Sequence, residues 1–132
     1  GQYPPPTMKI ANFIFRLKRH GWWKTKTICD FSWWDVPGES CDFNNSKYQN
    51  LVLSSHGCCA FINAEALVNN PAYLPQLTQT IDQVTAIASL VNQHNIKYAI
   101  ALIFTKCDLL APEPLGLLQI EEKIQPLLAR LD

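Results

Sequence analysis

The sequence predicts an α/β domain in which an antiparallel hairpin precedes parallel strands that alternate with helices. Three observations lead there. Two long strand-like stretches flank a short glycine turn near the N-terminus. Two apolar runs, 57–64 and 97–104, have strand length and no alternation, as expected of strands covered on both faces. After each run, apolar residues recur at spacings of three and four, the period of an amphipathic helix.

Residues 8–19 read as the first strand, with Ile10, Asn12, Ile14 and Arg16 alternating against Ala11, Phe13, Phe15 and Leu17. The segment 20–24 supplies a turn, and a second strand runs from about Thr25 to Trp34. Strands joined by so short a turn pair antiparallel. Pro37 ends the second strand, because it cannot continue a central ladder. Residues 39–50 are polar and read as mobile, with a short helix opening near Tyr48. A loop follows the first apolar run through Asn69-Asn70-Pro71. From Gln76 to His94, Leu77, Ile81, Val84, Ile87, Ala88 and Val91 define the clearest helix. The last helix spans 115–131 with Leu118, Ile120, Ile124, Leu127, Leu128 and Leu131 apolar, and Pro126 is expected to kink or restart it.

The 132 residues hold one domain or part of one, and 48% hydrophobic against 17% charged residues exclude a disordered chain. Lys plus Arg and Asp plus Glu number 11 each, so bulk electrostatic attraction to nucleic acid is not expected. No apolar run is long enough for a membrane span, and Gly1–Pro6 has no signal-peptide pattern. The five cysteines (29, 41, 58, 59 and 107) lack C-x-x-C spacing, and His20, His56 and His94 stand apart. Reduced thiols in a cytoplasmic protein are the expectation. Trp33 and Trp34 should point to opposite sheet faces, while Trp22 and Trp23 sit at a hairpin tip as a potential protein contact.

Ligands in parallel sheets bind at the carboxyl ends of strands, which directs attention to the loops after Asp35, Ala64 and Thr105. The first, Asp35-Val36-Pro37-Gly38, reads D-x-x-G, and the third, Thr105-Lys106-Cys107-Asp108, reads [NT]-K-x-D. By chance the first word arises in roughly a third of chains this long and the second in roughly one in twenty. Their order, each after a strand, makes the pair more specific than either alone.

This arrangement resembles the P-loop GTPases of the Ras-like kind, over nearly the whole chain. The resemblance implies a three-layer P-loop NTPase-type sheet, residues 1–132 forming part of a GTPase-like switch domain. It implies that Asp35 stands on the Mg2+ side and that the Gly38 amide reads the terminal phosphate. Thr105, Lys106 and Asp108 would recognise guanine, with Lys106 packed along the base. Tyr3 and Thr7 resemble the first switch loop, where the threonine hydroxyl ligates Mg2+. A hard divalent cation favours carboxylate oxygen, and an acceptor-only carboxylate selects guanine's adjacent donors over adenine.

The chain departs from the family in three places. No G-x-x-x-x-G-K-[ST] occurs among its five glycines, so the phosphate cradle is absent from these residues. Glu39 stands where the family has the glutamine that orients the attacking water, which makes it the candidate catalytic residue, although its carboxylate would face phosphate charge. The sequence ends before the family's last strand and its base-recognition loop. In the family, the missing first strand lies between the second hairpin strand and the first apolar run. Its absence predicts direct pairing of those two strands or a homodimer formed by strand exchange. The parent protein would bind GTP or GDP with Mg2+ and hydrolyse GTP, while this chain alone is expected to take no cofactor and to be inactive. The alternative expectation is a degenerate GTPase-like module that binds a protein partner through residues 39–50 or Trp22/Trp23 and binds no nucleotide.

Overall fold

The computed structural model describes residues 10–131, apart from the side chain of Glu39. The fold is mixed α/β, and the chain divides into two compact units, one ending at Tyr48 and the other beginning at Gln49. Among the described residues, no helix is long and apolar enough to cross a membrane.

The first unit is built on the expected hairpin, β1 (Ala11–His20) antiparallel to β2 (Thr25–Asp35). Alternation sets its two faces. Phe13 lies opposite Trp33, Phe15 opposite Phe31 and Leu17 opposite Cys29 on one face. The other face pairs Asn12 with Trp34, Ile14 with Ser32 and Arg16 with Asp30. Trp33 and Trp34 therefore do point to opposite faces. An Arg16 Nε–Asp30 Oδ1 ion pair of 2.8 Å and a 3.0 Å bond from Ser32 Oγ to Asn12 Oδ1 tie the polar face. The Arg16 guanidinium holds the Asp30 carboxyl below its ordinary value. Between Leu17 and Lys18 the register shifts, leaving Ile28 without an opposite residue, as in a β-bulge.

Residues 39–50 carry defined structure, against the expectation of a mobile stretch. A short 3-10 turn spans Gly38–Ser40, and α1 (Ser46–Leu53) begins four residues beyond Asp42. Side-chain-to-backbone bonds supply the order: Asp42 Oδ1 accepts from the Asn44 N–H at 2.9 Å, and Asn45 Oδ1 accepts from the Lys47 N–H at 3.0 Å. The Phe43 and Tyr48 rings meet edge to face at 5.1 Å.

The second unit contains β3 (Gly57–Asn63) and β4 (Ala99–Thr105), paired parallel and in register from Gly57 opposite Ala99 to Asn63 opposite Thr105. The connection between them runs through α2 (Ala64–Asn69) and the long α3 (Leu74–Gln93). In α3, Leu77, Ile81, Val84, Ile87 and Val91 are buried, as the spacing predicts. Pro75 sits in the first turn, where its missing N–H costs nothing. The helix ends in a Schellman motif: Asn95 is left-handed (φ 53°), its N–H bonds the Asn92 carbonyl, and the Ile96 N–H bonds the Val91 carbonyl. The final helix α4 is Leu115–Leu128. Ile62, Leu77, Ile81 and Ile124 form the core, flanked by Leu67, Tyr73, Leu102 and Phe104.

Several expectations are corrected. β2 pairs with β1 and β3 with β4, so direct pairing of the second strand with the third is not among the ladders. β3 pairs on one edge with the parallel strand that the α3 crossover returns to it, and among the described residues the outer edges of both strands carry no ladder. Among the described residues of the second unit, neither parallel strand is fully covered on both faces: Ile62, Leu102 and Phe104 meet the helices, while Phe61 and Ile103 on the opposite face stay exposed. Leu118 is exposed as well, because Gly116, Ile120 and Ile124 set the buried stripe of α4 and residue 118 lies round the helix from them. α4 continues through Pro126 to Leu128 before passing into a 3-10 turn over Ala129–Leu131. So close to the helix end, the proline forfeits little of the hydrogen-bond ladder.

Candidate functional site

The carboxyl ends of β3 and β4 lie side by side, with Asn63 opposite Thr105. Each ends in a turn whose geometry its own residues impose. At β3, Asn63 caps α2: its Oδ1 accepts from the Ala66 N–H at 3.0 Å. The Asn63 N–H donates to the Tyr73 hydroxyl at 3.1 Å, and the Tyr73 ring packs against the core. Sequence reasoning passed over Asn63 and Tyr73 as site-supporting residues. The readable signal was an asparagine directly before the helix-forming run Ala64-Glu65-Ala66.

At β4, the Thr105 Oγ1 donates to the Ile62 carbonyl at 3.4 Å, stitching the two strand ends together. Lys106 then adopts a left-handed conformation, φ 58° and ψ 30°. For a residue with a Cβ this costs about 1–2 kcal/mol, and such strain concentrates at functional positions. The reversal at Lys106 starts a 3-10 turn, Cys107–Leu109, closed by bonds from Leu109 N–H to the Lys106 carbonyl and from Leu110 N–H to the Cys107 carbonyl, both 3.1 Å. Thr105, Lys106 and Asp108 are thus brought together in one tight turn. Lys106 and Asp108 are exposed, and neither side chain enters an ion pair among the described residues. The turn therefore offers an acceptor-only carboxylate beside a cation on an apolar stem.

The remaining predicted residues belong to the first unit. Asp35 is the last residue of β2, opposite Ala11, and is exposed. Gly38 opens the 3-10 turn, its carbonyl accepting from the Cys41 N–H at 3.2 Å. A Cβ on Gly38 would meet nothing within 4 Å, and its φ is not positive, so neither space nor backbone conformation demands glycine there. Thr7 and Tyr3 lie outside the described residues, as does the side chain of Glu39. Mg2+ is held through one or two carboxylates completed by water and phosphate oxygens. Asp35 is a donor of the right kind for that role, but no group of three or more His, Cys, Asp or Glu able to hold a metal occurs among the described residues. Compared with family models, with curated proteins and with solved structures, the chain shows no match.

Proposed function

We propose that the chain is the greater part of a guanine-nucleotide-binding switch domain of the P-loop GTPase kind, with the three-layer sheet of that class and without its phosphate loop. The reading rests chiefly on the Thr105–Asp108 turn: an [NT]-K-x-D word at the carboxyl end of a parallel strand, with Lys106 left-handed and Asp108 in no ion pair among the described residues. In this reading Asp108 accepts two hydrogen bonds from the adjacent N–H donors of guanine, and the Lys106 stem lies along the base. Asp35 and Gly38 would serve the phosphate side, with Thr7 completing the Mg2+ shell. A cytoplasmic location goes with this reading, in which the five cysteines, none joined in a disulfide among the described residues, stay reduced.

Affinity follows from what the turn can offer. Two charge-assisted bonds supply about 3–6 kcal/mol gross, while immobilising a nucleotide costs an estimated 4 kcal/mol or more. The surplus is near zero, so the chain alone binds GDP weakly and hydrolyses no GTP. An amide-resolved NMR titration with GDP and with ADP tests the reading. Shifts confined to Thr105–Asp108 and seen only with GDP support it. Equal responses to the two nucleotides, or GDP-induced shifts that fall away from this turn, overturn it.

A second reading has its own observation. The apolar hairpin face formed by Phe13, Phe15, Leu17 and Phe31 is about half exposed. A degenerate GTPase-like module that binds a protein partner through this face or residues 39–50 would use it.

A further inference from the structure

The hairpin tip concentrates two kinds of side chain that the nucleotide reading leaves unused. Trp22 and Trp23 are 96% and 91% exposed, so among the described residues little packs on either indole. The turn beneath them is fixed by a 2.9 Å bond from the Gly21 N–H to the Lys24 carbonyl. A side chain at Gly21 would press on that carbonyl, since a Cβ would sit 3.0 Å from its oxygen. The two indoles therefore stand at adjacent positions of a tight turn at the apex of the hairpin.

Around them stand Lys18, Arg19, Lys24 and Lys26, all exposed and none in an ion pair among the described residues. No Asp or Glu occurs from Leu17 to Cys29. Four of the chain's 11 cations thus sit within nine residues of a protein whose net charge is zero. Arg19 also lies directly across the ladder from Lys26. Like charges placed opposite one another weaken a hairpin, and an anionic surface against the tip would relieve that repulsion. The bulge at Leu17/Lys18 adds local twist just where the basic segment begins.

We propose that this tip seats on the anionic surface of a lipid bilayer, with Trp22 and Trp23 at headgroup depth and the four cations among the lipid phosphates. Indoles favour that level because one edge is apolar and the ring N–H is wet. Lys and Arg near an anionic leaflet add affinity charge by charge. The combination gives the two signals that peripheral attachment requires, and it needs no membrane-spanning segment. A nucleic acid fits less well. A hairpin inserted in a groove reads polar base edges with polar side chains, and the apex here is a pair of indoles. The inference stands independently of the guanine reading, because the two use different residues.

The test is co-sedimentation of the 132-residue chain with vesicles of phosphatidylcholine alone and with vesicles containing phosphatidylserine. Brominated lipid in the same vesicles reports indole depth by fluorescence quenching. The chain should bind the anionic vesicles, release at high salt, and ignore the neutral ones. Trp22→Ser/Trp23→Ser should abolish the quenching although Trp33 and Trp34 remain. Lys24→Gln/Lys26→Gln should weaken binding by about fivefold for each charge removed. All four positions are exposed, so circular dichroism should show the fold unchanged in both variants. Equal binding to the two vesicle types, no binding, insensitivity to either variant, or tighter binding to a single-stranded oligonucleotide than to the anionic vesicles overturns the proposal.

Discussion

Gly57 opens β3, and its place in the ladder leaves no room for a side chain. A Cβ there would lie 2.5 Å from the Ala99 carbonyl oxygen and 3.2 Å from both the Ala99 carbonyl carbon and Cβ. These atoms are backbone or bonded directly to it, so no rotamer change can clear the space. Reaching ordinary contact at 3.4 Å requires the strands to part by about 0.9 Å, against a normal spacing of about 4.8 Å. Overpacking of this kind costs about 1–3 kcal/mol, and alanine returns about 0.4–1 kcal/mol by restricting the unfolded chain. Gly57→Ala should therefore destabilise by about 1–2 kcal/mol. For a unit this size that lowers Tm by about 4–16 °C. Thermal unfolding followed by far-ultraviolet circular dichroism reads it. Gly38→Ala, with open space around its Cβ, is the control and should stay within about 0.5 kcal/mol. A Gly57→Ala chain melting at or above the parent temperature would refute the packing at this end of the sheet.

Lys106→Gly should raise stability by about 0.5–1 kcal/mol, because glycine carries no penalty in the left-handed conformation that Lys106 adopts. A melting temperature unchanged or lowered would mean that the turn is not strained. Thiol labelling at mildly alkaline pH should modify exposed Cys107 before Cys58. Burial pushes the Cys58 thiol up and neighbouring Cys59 adds to the effect, outweighing the Tyr98 hydrogen bond, so less reactive thiolate forms there; simultaneous labelling would contradict this. Calorimetry with Mg2+ and GDP should give a Kd no tighter than about millimolar, and a micromolar value would show that phosphate contacts are present after all.

The parts of the fold legible in the sequence are those whose pattern is local. Alternation through Phe13, Phe15 and Leu17 gave the hairpin, and the spacing of Leu77, Ile81, Val84, Ile87 and Val91 gave α3. The apolar runs revealed two parallel strands but overstated their coverage. An uninterrupted run such as Ala60-Phe61-Ile62 fits a strand with two apolar faces whether or not both faces are met by other elements, and Phe61 stays exposed. Helix α2 was missed because six residues between Asn63 and Asn70 are too few to display a period. Asp42 and Asn45 were read as polar loop residues, whereas their side chains build the turns that order that segment. At the candidate site the residue types were visible in sequence. The left-handed Lys106 and the lock formed by Asn63 and Tyr73 depend on backbone geometry and distant packing, and became visible only in three dimensions.

The proposed reading of the guanine edge by the Asp108 carboxylate, in the Thr105–Asp108 turn, is tested most directly by exchanging one acceptor for a donor. Asp108→Asn replaces one acceptor with a donor, which suits xanthine, whose ring offers one donor and one acceptor at the same edge. NMR titrations of both chains with GDP and with xanthosine diphosphate measure this directly. Amide shifts at residues 105–108 should favour GDP in the parent chain and xanthosine diphosphate in the variant. Equal responses to the two nucleotides in both chains, or GDP-induced shifts away from this turn, would contradict it.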